Sequence, residues 1–178
     1  MSEDTAAKDG PRRTFTIERH YAATVEAVWD LWTTERGIES WWGPDGFSVT
    51  VKHLDLRVGG ELLYTMTATA PDQVEFMKQA GMPTATDVSI VYTGIEPLRR
   101  LGYKSLADFI PGTEPYEVET TVALDPRPDG VRMVLTFDAM HDEQWTERAV
   151  AGHESELGKL DKILNPVTYR RSTRLPAQ

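Results

Sequence analysis

Residues 141–165 read HDEQWTERAVAGHESELGKLDKILN, in which Gly152 and Gly158 are the only helix breakers. Apolar or small side chains recur every three or four residues, at Trp145, Ala149, Gly152, Leu157, Leu160 and Leu164. This spacing predicts an α-helix with one buried face, and the opposite positions are charged. At about 1.5 Å per residue, the helix would be roughly 36 Å long and could cross a small domain. We therefore expect a curved sheet to wrap around it.

The chain before this helix alternates between apolar and polar residues in short stretches, which is typical of strands with one buried face. These stretches are residues 14–21, 47–56, 62–68, 88–95, 98–110, 117–124 and 131–137. Gly59-Gly60 and the proline-rich turn 125–130 predict two hairpins. Two short helices are expected after the first strand: one capped by Thr24 and ended by Gly37, and one over residues 38–42.

Three further segments fall outside the strands and helices described above, and each differs from them in amino-acid composition. Residues 1–12 are polar and rich in small residues, so we expect them to be disordered before a single domain at residues 13–165. Residues 70–84 predict an inserted helix, begun by a capping box of Asp72 and Glu75. This insertion could be a lid over a cavity mouth, or it could only cover a sheet edge. Residues 166–178 are a basic tail that we expect to be flexible or loosely docked.

Composition limits the class of protein. A chain of 178 residues fits one domain with a sizeable core. The formal net charge of −9 argues against nucleic acid or anionic lipid as a partner. The absence of cysteine excludes disulfides and thiolate chemistry. No stretch resembles a signal peptide or a membrane span, so we expect a cytoplasmic protein, either a monomer or a homodimer.

No catalytic or metal-binding motif is complete. The stretch Gly152-His153-Glu154-Ser155-Glu156 lacks the final glycine of a nucleophile elbow. A zinc-protease helix would need a second histidine where Leu157 stands. The sequence therefore predicts no metal, no cofactor and no catalytic residue.

The alternation of apolar and polar residues along the predicted strands instead places several polar side chains on the faces that point to an apolar interior. A few convergent polar groups in an apolar cavity are typical of a small-molecule site, although each could simply be satisfied by a neighbour. Arg19 could lie at the rim with its charge in water, or inside the pocket. The tryptophans at 29–42 could plug the sheet or form a pocket wall. The predicted ligand-binding residues are Arg19, Trp29, Trp41, Trp42, His53, Tyr64, Met66, Tyr92, Tyr103, Thr120, His153 and Leu157.

Four short stretches together resemble a known family. They are residues 14–19, Val28-Trp29, residues 41–47 and residues 58–61. The sequence resembles the family named after the activator of the heat-shock chaperone's ATPase, within the START-like superfamily, over residues 14–165. This resemblance implies an α+β helix-grip fold, in which an antiparallel sheet grips a long C-terminal helix with a cavity between them. The family commonly has Gly-Trp where this chain has Gly152-His153.

The resemblance implies three functions. We prefer binding of a small, largely hydrophobic molecule in the cavity, without catalysis. A second function is a co-chaperone-like module in the stress response that acts on a heat-shock chaperone ATPase. A third is a cyclase, dehydratase or hydrolase, in which His53 or His153 is the general base and a tyrosine or Arg19 polarises a carbonyl.

Overall fold

The computed structural model describes residues 12–164 and the backbone of residues 166–174, so the expected disorder at residues 1–11 lies outside the described residues. The elements are β1 (Thr14–Tyr21), α1 (Val25–Thr33), α2 (Glu35–Trp41), β2 (Phe47–Leu54), β3 (Glu61–Ala68), α3 (Pro71–Gln79), β4 (Ala85–Glu96), β5 (Arg100–Ala107), β6 (Tyr116–Arg127), β7 (Gly130–Asp138), α4 (Glu143–Leu164) and β8 (Pro166–Arg174).

The strands form one antiparallel sheet in the order β2-β3-β4-β5-β6-β7-β1-β8. The predicted hairpins β2–β3 and β6–β7 are confirmed by their pairing. One hydrophobic core contains the inward side chains of the sheet together with Leu157 and Leu160 of α4. The fold is therefore the expected α+β arrangement of a sheet around a long C-terminal helix.

The buried face of α4 is rotated from the predicted stripe. Its buried side chains are Thr146, Val150, Leu157 and Leu160. Trp145, Ala149 and Gly152, which the apolar spacing placed inside, are only half-buried. Thr146 can be buried because its hydroxyl donates to the Asp142 carbonyl at 2.7 Å and accepts from the Met140 N–H at 2.9 Å. A threonine satisfied in this way packs like an apolar residue.

The boundary between the two short helices also differs from the prediction. Thr24 caps α1 as expected, accepting from the Ala27 N–H at 3.2 Å. Gly37 lies inside α2, since Thr34 caps that helix and accepts from the Gly37 N–H at 3.0 Å. A Cβ at Gly37 would lie 2.2 Å from the Asp30 carbonyl oxygen. The glycine is therefore required for the close approach of α1 and α2, and it does not end a helix.

The inserted helix α3 is present, but its predicted capping box is wrong. The N-cap is Ala70, which makes no side-chain cap hydrogen bond, and Pro71 occupies the first turn. Proline suits this position because its fixed φ is already helical and it lacks an N–H that needs a partner. Met77 is buried, whereas Phe76 and Met82 are exposed.

The predicted loose tail is wrong for residues 166–174. Pro166–Arg174 form β8, which pairs antiparallel with β1 from Tyr21 to Thr14. Without β8, β1 would be an edge strand with a row of unpaired backbone groups. The tail therefore extends the sheet by one strand.

Candidate functional site

Four buried residues of neighbouring strands form a line across the inner face of the sheet. Tyr92 of β4 is paired with Tyr103 of β5, Tyr103 with Thr120 of β6, and Thr120 with Phe137 of β7. We call these four residues the tyrosine row. Three of them carry hydroxyl groups, so the row places polar atoms within an otherwise apolar core.

Trp42 covers one part of the tyrosine row from the loop after α2. Its ring centroid lies 5.8 Å from that of Tyr103 and 6.3 Å from that of Tyr64 on β3. Trp32 of α1 packs on the other side of Trp42 at 5.4 Å. The short helices therefore supply an aromatic wall beside the row.

Two side chains of α4 lie over the other part of the row. The ring of His153 lies 4.3 Å from that of Phe137, and its Nδ1 atom is 3.5 Å from the Glu156 carboxylate. The side chains of His153 and Glu156 are 20% and 24% exposed. They therefore connect the buried row to solvent, and the expected polar group at the helix–sheet junction is confirmed.

The charge of Glu156 lies close enough to Tyr64 and Tyr103 to affect their ionisation. Burial raises the pKa of Tyr64 above its ordinary range, and the charge of Glu156 raises it further. Burial also raises the pKa of Tyr103, and the charges of Glu156 and of ionised Tyr64 raise it further. Both phenols consequently remain neutral hydrogen-bond donors at neutral pH.

Tyr92 stands out because its hydroxyl has no hydrogen-bond partner among the residues that the structure describes. The side chain is 1% exposed, and burial raises its pKa to about 12. Within the same described part of the chain, Trp32 Nε1 is also buried without a partner. An unpaired buried polar group costs about 1–3 kcal/mol, so such groups are rare in folded proteins.

These shifts predict a stability that falls in alkali. Tyr21, Tyr64, Tyr92 and Tyr103 all have a pKa raised above the ordinary 10.0. A raised folded-state pKa gives stability that is complete below pH 10 and is lost as pH rises through the folded pKa. We expect the urea-unfolding free energy to fall above pH 10, with the phenolate absorbance of these four tyrosines developing only as the protein unfolds. Full phenolate absorbance near pH 10 in the native protein would contradict the burial of these phenols.

Arg19 points inward as predicted, and it is buried rather than at the rim of a pocket with its charge in water. Its charged group contacts α4 and not the tyrosine row. Its guanidinium pairs with Glu154 at 2.9 Å and with Asp161 at 3.1 Å, both on α4. The Tyr21 hydroxyl donates to the same Asp161 carboxylate at 2.7 Å. This cluster, which we call the Arg19 cluster, ties α4 to β1.

His53 does not face the interior, contrary to the prediction. The β2–β3 pairing shifts between Val51 and His53, so that Val51 pairs with Tyr64 and His53 with Leu63. This irregularity adds one residue, which reverses the inward and outward alternation beyond it. His53 is consequently exposed, whereas Leu54 turns toward the core.

The remaining predicted residues belong to the core around the row. Trp41 of α2 packs against Trp32 of α1, and its Nε1 donates to the Leu31 carbonyl at 2.9 Å. Trp29 and Leu157 are buried in the same core, and Met66 packs against it half-buried.

The side chains that hold the Trp42 loop carry little signal in the sequence. Lys159 Nζ donates to the carbonyls of Trp42, Gly43 and Phe47 at 3.0–3.2 Å. Ser155 Oγ accepts from the Asp45 N–H at 2.9 Å. Two residues of α4 therefore fasten the loop that carries Trp42.

The sequence also does not identify Glu156 as a neighbour of the tyrosine row. The only feature that associates Glu156 with the site is its spacing of three residues from His153 on the same helix.

A separate cavity of about 520 Å³ lies at the N-terminal end of α4. It is lined by Arg12, Arg13, Tyr116, Ala139, Met140, His141, Asp142, Glu143 and Thr146. Its polar groups pair with each other: Arg13 with Glu143 at 2.5 Å, and the Tyr116 hydroxyl with His141 Nδ1 at 3.0 Å. None of the predicted ligand-binding residues lines it, and the expected cavity beneath α4 stays a prediction.

Neither a metal cluster nor a membrane-spanning helix is present in the described part of the chain. In residues 12–164, no three histidine or carboxylate side chains lie close enough together to hold a metal ion. None of the four helices within that range combines the length and apolar character needed to cross a membrane.

An antiparallel sheet gripping a C-terminal helix defines the helix-grip class of START-like proteins. The sequence profile of one family in this class, described as Activator of Hsp90 ATPase homolog 1-like protein, matches residues 22–165. The chain therefore belongs to this family. Its membership supports a ligand-binding fold in general terms.

Solved structures show the same fold. A protein of Chromobacterium violaceum is 23% identical, with a TM-score of 0.68 over 86% of this chain and 97% of its own. A protein of Arthrobacter aurescens is 26% identical, with a TM-score of 0.65 over 84% of this chain and 83% of its own. The AHSA1 protein of Silicibacter pomeroyi is 21% identical, with a TM-score of 0.64 over 84% of this chain and 95% of its own. No protein of curated function matches the sequence.

Proposed function

We propose that this protein binds a small, largely apolar molecule between the sheet and α4, above the tyrosine row. The observation that carries the proposal is the Tyr92 hydroxyl, which is buried and finds no hydrogen-bond partner in the described range 12–164. A polar atom of a bound molecule would relieve the cost of that unpaired hydroxyl.

The surroundings of Tyr92 support the same conclusion. Along the row that begins at Tyr92, Trp42 and Phe137 provide apolar aromatic surface, while Tyr103 and Thr120 provide hydroxyl groups. Small-molecule sites commonly combine apolar walls with a few convergent polar groups. The half-exposed His153 and Glu156 mark the route by which a molecule would enter.

Binding is preferred over the other two functions because the polar groups required for catalysis are dispersed. His53 is exposed on β2, and Arg19 is held by Glu154 and Asp161. Only His153, of the groups predicted for acid–base catalysis, lies beside the tyrosine row. Contact with a chaperone, a role in the stress response, a cytoplasmic location, the lid role of residues 70–84 and the oligomeric state stay predictions.

Native mass spectrometry of the protein purified from its own host tests this function. We expect a small molecule to co-purify with the wild type and to be largely lost from Tyr92→Phe. In the absence of ligand, Tyr92→Phe should be as stable as the wild type or more stable by up to about 1 kcal/mol, since an unsatisfied buried hydroxyl is removed.

Tyr116→Phe is the matched control, since Tyr116 lines the separate cavity at the end of α4. It should retain the co-purified molecule. If the wild type carries no molecule and binds none from a panel of apolar compounds, the proposed function is wrong. Loss of the molecule from Tyr116→Phe but not from Tyr92→Phe would place binding in the other cavity.

A further inference from the structure

Two arginines line the cavity of about 520 Å³ at the N-terminal end of α4, and they differ in their partners. Arg13 pairs with the Glu143 carboxylate at 2.5 Å. Arg12 Nη1 donates to the Glu117 carbonyl at 2.6 Å, and its guanidinium carbon lies 5.5 Å from the centroid of the Tyr116 ring. No carboxylate in the described part of the chain pairs with Arg12, so most of its N–H donors are available to a ligand.

The two carboxylates that line the cavity are already engaged by other groups. Glu143 holds Arg13. Asp142 Oδ1 accepts from the Trp145 N–H in the first turn of α4 at 2.8 Å, and its Oδ2 lies 3.2 Å from His141 Nε2. Neither carboxylate can turn to the guanidinium of Arg12 without losing these contacts. The charge that the cavity offers to a ligand is therefore positive.

The neutral polar groups of the cavity, the Tyr116 hydroxyl and His141, satisfy each other. The hydroxyl accepts from the His141 N–H at 3.1 Å and lies 3.0 Å from His141 Nδ1. In a neutral imidazole, the nitrogen that faces Asp142 carries the hydrogen, so Nδ1 accepts from the phenol. The phenol proton is thus directed to His141 and not into the cavity. Polar recognition in this cavity rests on Arg12.

The apolar part of the lining is fixed by packing elsewhere. Tyr116 and Met140 line the cavity and also pack against a small buried cluster that includes Val118. Their positions are therefore set without a ligand, as is usual for small-molecule sites. The contact with the Tyr116 ring also restricts the Arg12 guanidinium, so less side-chain freedom is lost when a ligand binds.

A carboxylate on an apolar body matches these groups. The planar guanidinium binds a carboxylate through two parallel hydrogen bonds, and Tyr116 and Met140 provide apolar surface beside it. We infer that this cavity is a binding site, separate from the tyrosine row, for a small organic monocarboxylate that pairs with Arg12. A second negative charge on the ligand would be repelled by Asp142 and Glu143, which favours a monoanion. This site does not depend on the function proposed above.

Titration of isotope-labelled protein by NMR at constant ionic strength tests the inference with four probes. Benzoate has a carboxylate on a ring, benzamide a neutral amide on the same ring, acetate a carboxylate without a ring, and phthalate two carboxylates. We expect benzoate to shift the signals of Tyr116, Met140 and His141. It should bind roughly fivefold more tightly than benzamide, as an exposed ion pair provides, and more tightly than acetate or phthalate.

Two arginine variants locate the preference. Arg12→Gln should bind benzoate and benzamide equally, since the guanidinium charge is removed. Arg12 is exposed, so its amide spectrum without probe should otherwise match that of the wild type. Arg148→Gln is the matched control, because the Arg148 guanidinium also lies over a ring, 4.7 Å from the Trp145 centroid, but does not line the cavity. It should keep the wild-type ratio.

Equal binding of benzoate and benzamide to the wild type overturns the inference, and so does a preference that survives in Arg12→Gln. Loss of the preference in both arginine variants would show general charge attraction and would also overturn it. Tighter binding of acetate or phthalate than of benzoate overturns the ligand class. Shift changes at Tyr92 and Tyr103 in place of the cavity residues overturn the separate site. The co-purification experiment tests binding at the tyrosine row independently of all these results.

Discussion

Replacing Arg19 with methionine should lower the free energy of unfolding by about 3 kcal/mol, as expected when one partner of a buried ion pair is removed. The Arg19 side chain is only 4% exposed, and it pairs with Glu154 and Asp161. Methionine would leave both carboxylates facing apolar surface without their cation. Urea denaturation followed by circular dichroism gives the change.

Arg132→Met is the matched control for Arg19→Met. Arg132 makes a bidentate contact with Glu18 at 2.7 and 2.8 Å, but at the surface. Exposed pairs contribute about 0–1 kcal/mol, so its effect should be much smaller. Equal effects of the two substitutions would show that the Arg19 cluster does not hold α4 to the sheet.

Replacing Leu160 with alanine should destabilise the protein by about 2–5 kcal/mol, the usual cost of a cavity at a fully buried leucine. Leu160 lies on the face of α4 that packs into the main core. The same denaturation experiment measures the loss.

Ile163→Ala provides the comparison for Leu160→Ala on the same helix. Ile163 is 44% exposed, and its truncation should cost well under half as much as that of Leu160. A small effect of Leu160→Ala would mean that α4 does not depend on the sheet for its packing.

The architecture could be predicted because each element has strong local signals. The alternation around Tyr92, Tyr103 and Thr120 specifies both strand type and inward face, and the structure buries all three. The turn before Gly130 specified the β6–β7 pairing. These features depend on neighbours in sequence, which a single sequence displays.

The errors concern features that depend on contacts distant in sequence. One extra residue near Lys52 turned His53 outward, and no residue type there marks a shift in pairing. Thr146 is buried because its hydroxyl forms hydrogen bonds with the backbone of Met140 and Asp142. A polar residue type does not indicate burial in the sequence, so this position could not be predicted.

The candidate site was predicted only in part for the same reason. Tyr64, Tyr92, Tyr103 and His153 were expected to converge, and the structure places them around the row. Glu156 could not be assigned to the site from helix periodicity, since a glutamate among Ser155, Gly158 and Lys159 is typical of a solvent-facing position.

Chemical-shift mapping by NMR with the panel of apolar compounds tests most directly where a small molecule binds. The account predicts the largest shift changes at Tyr92 and Tyr103 on the sheet, at Trp42 in the loop after α2, and at His153 and Glu156 on α4. Shift changes confined to Tyr116, His141 and the other residues of the cavity at the N-terminal end of α4 would contradict it.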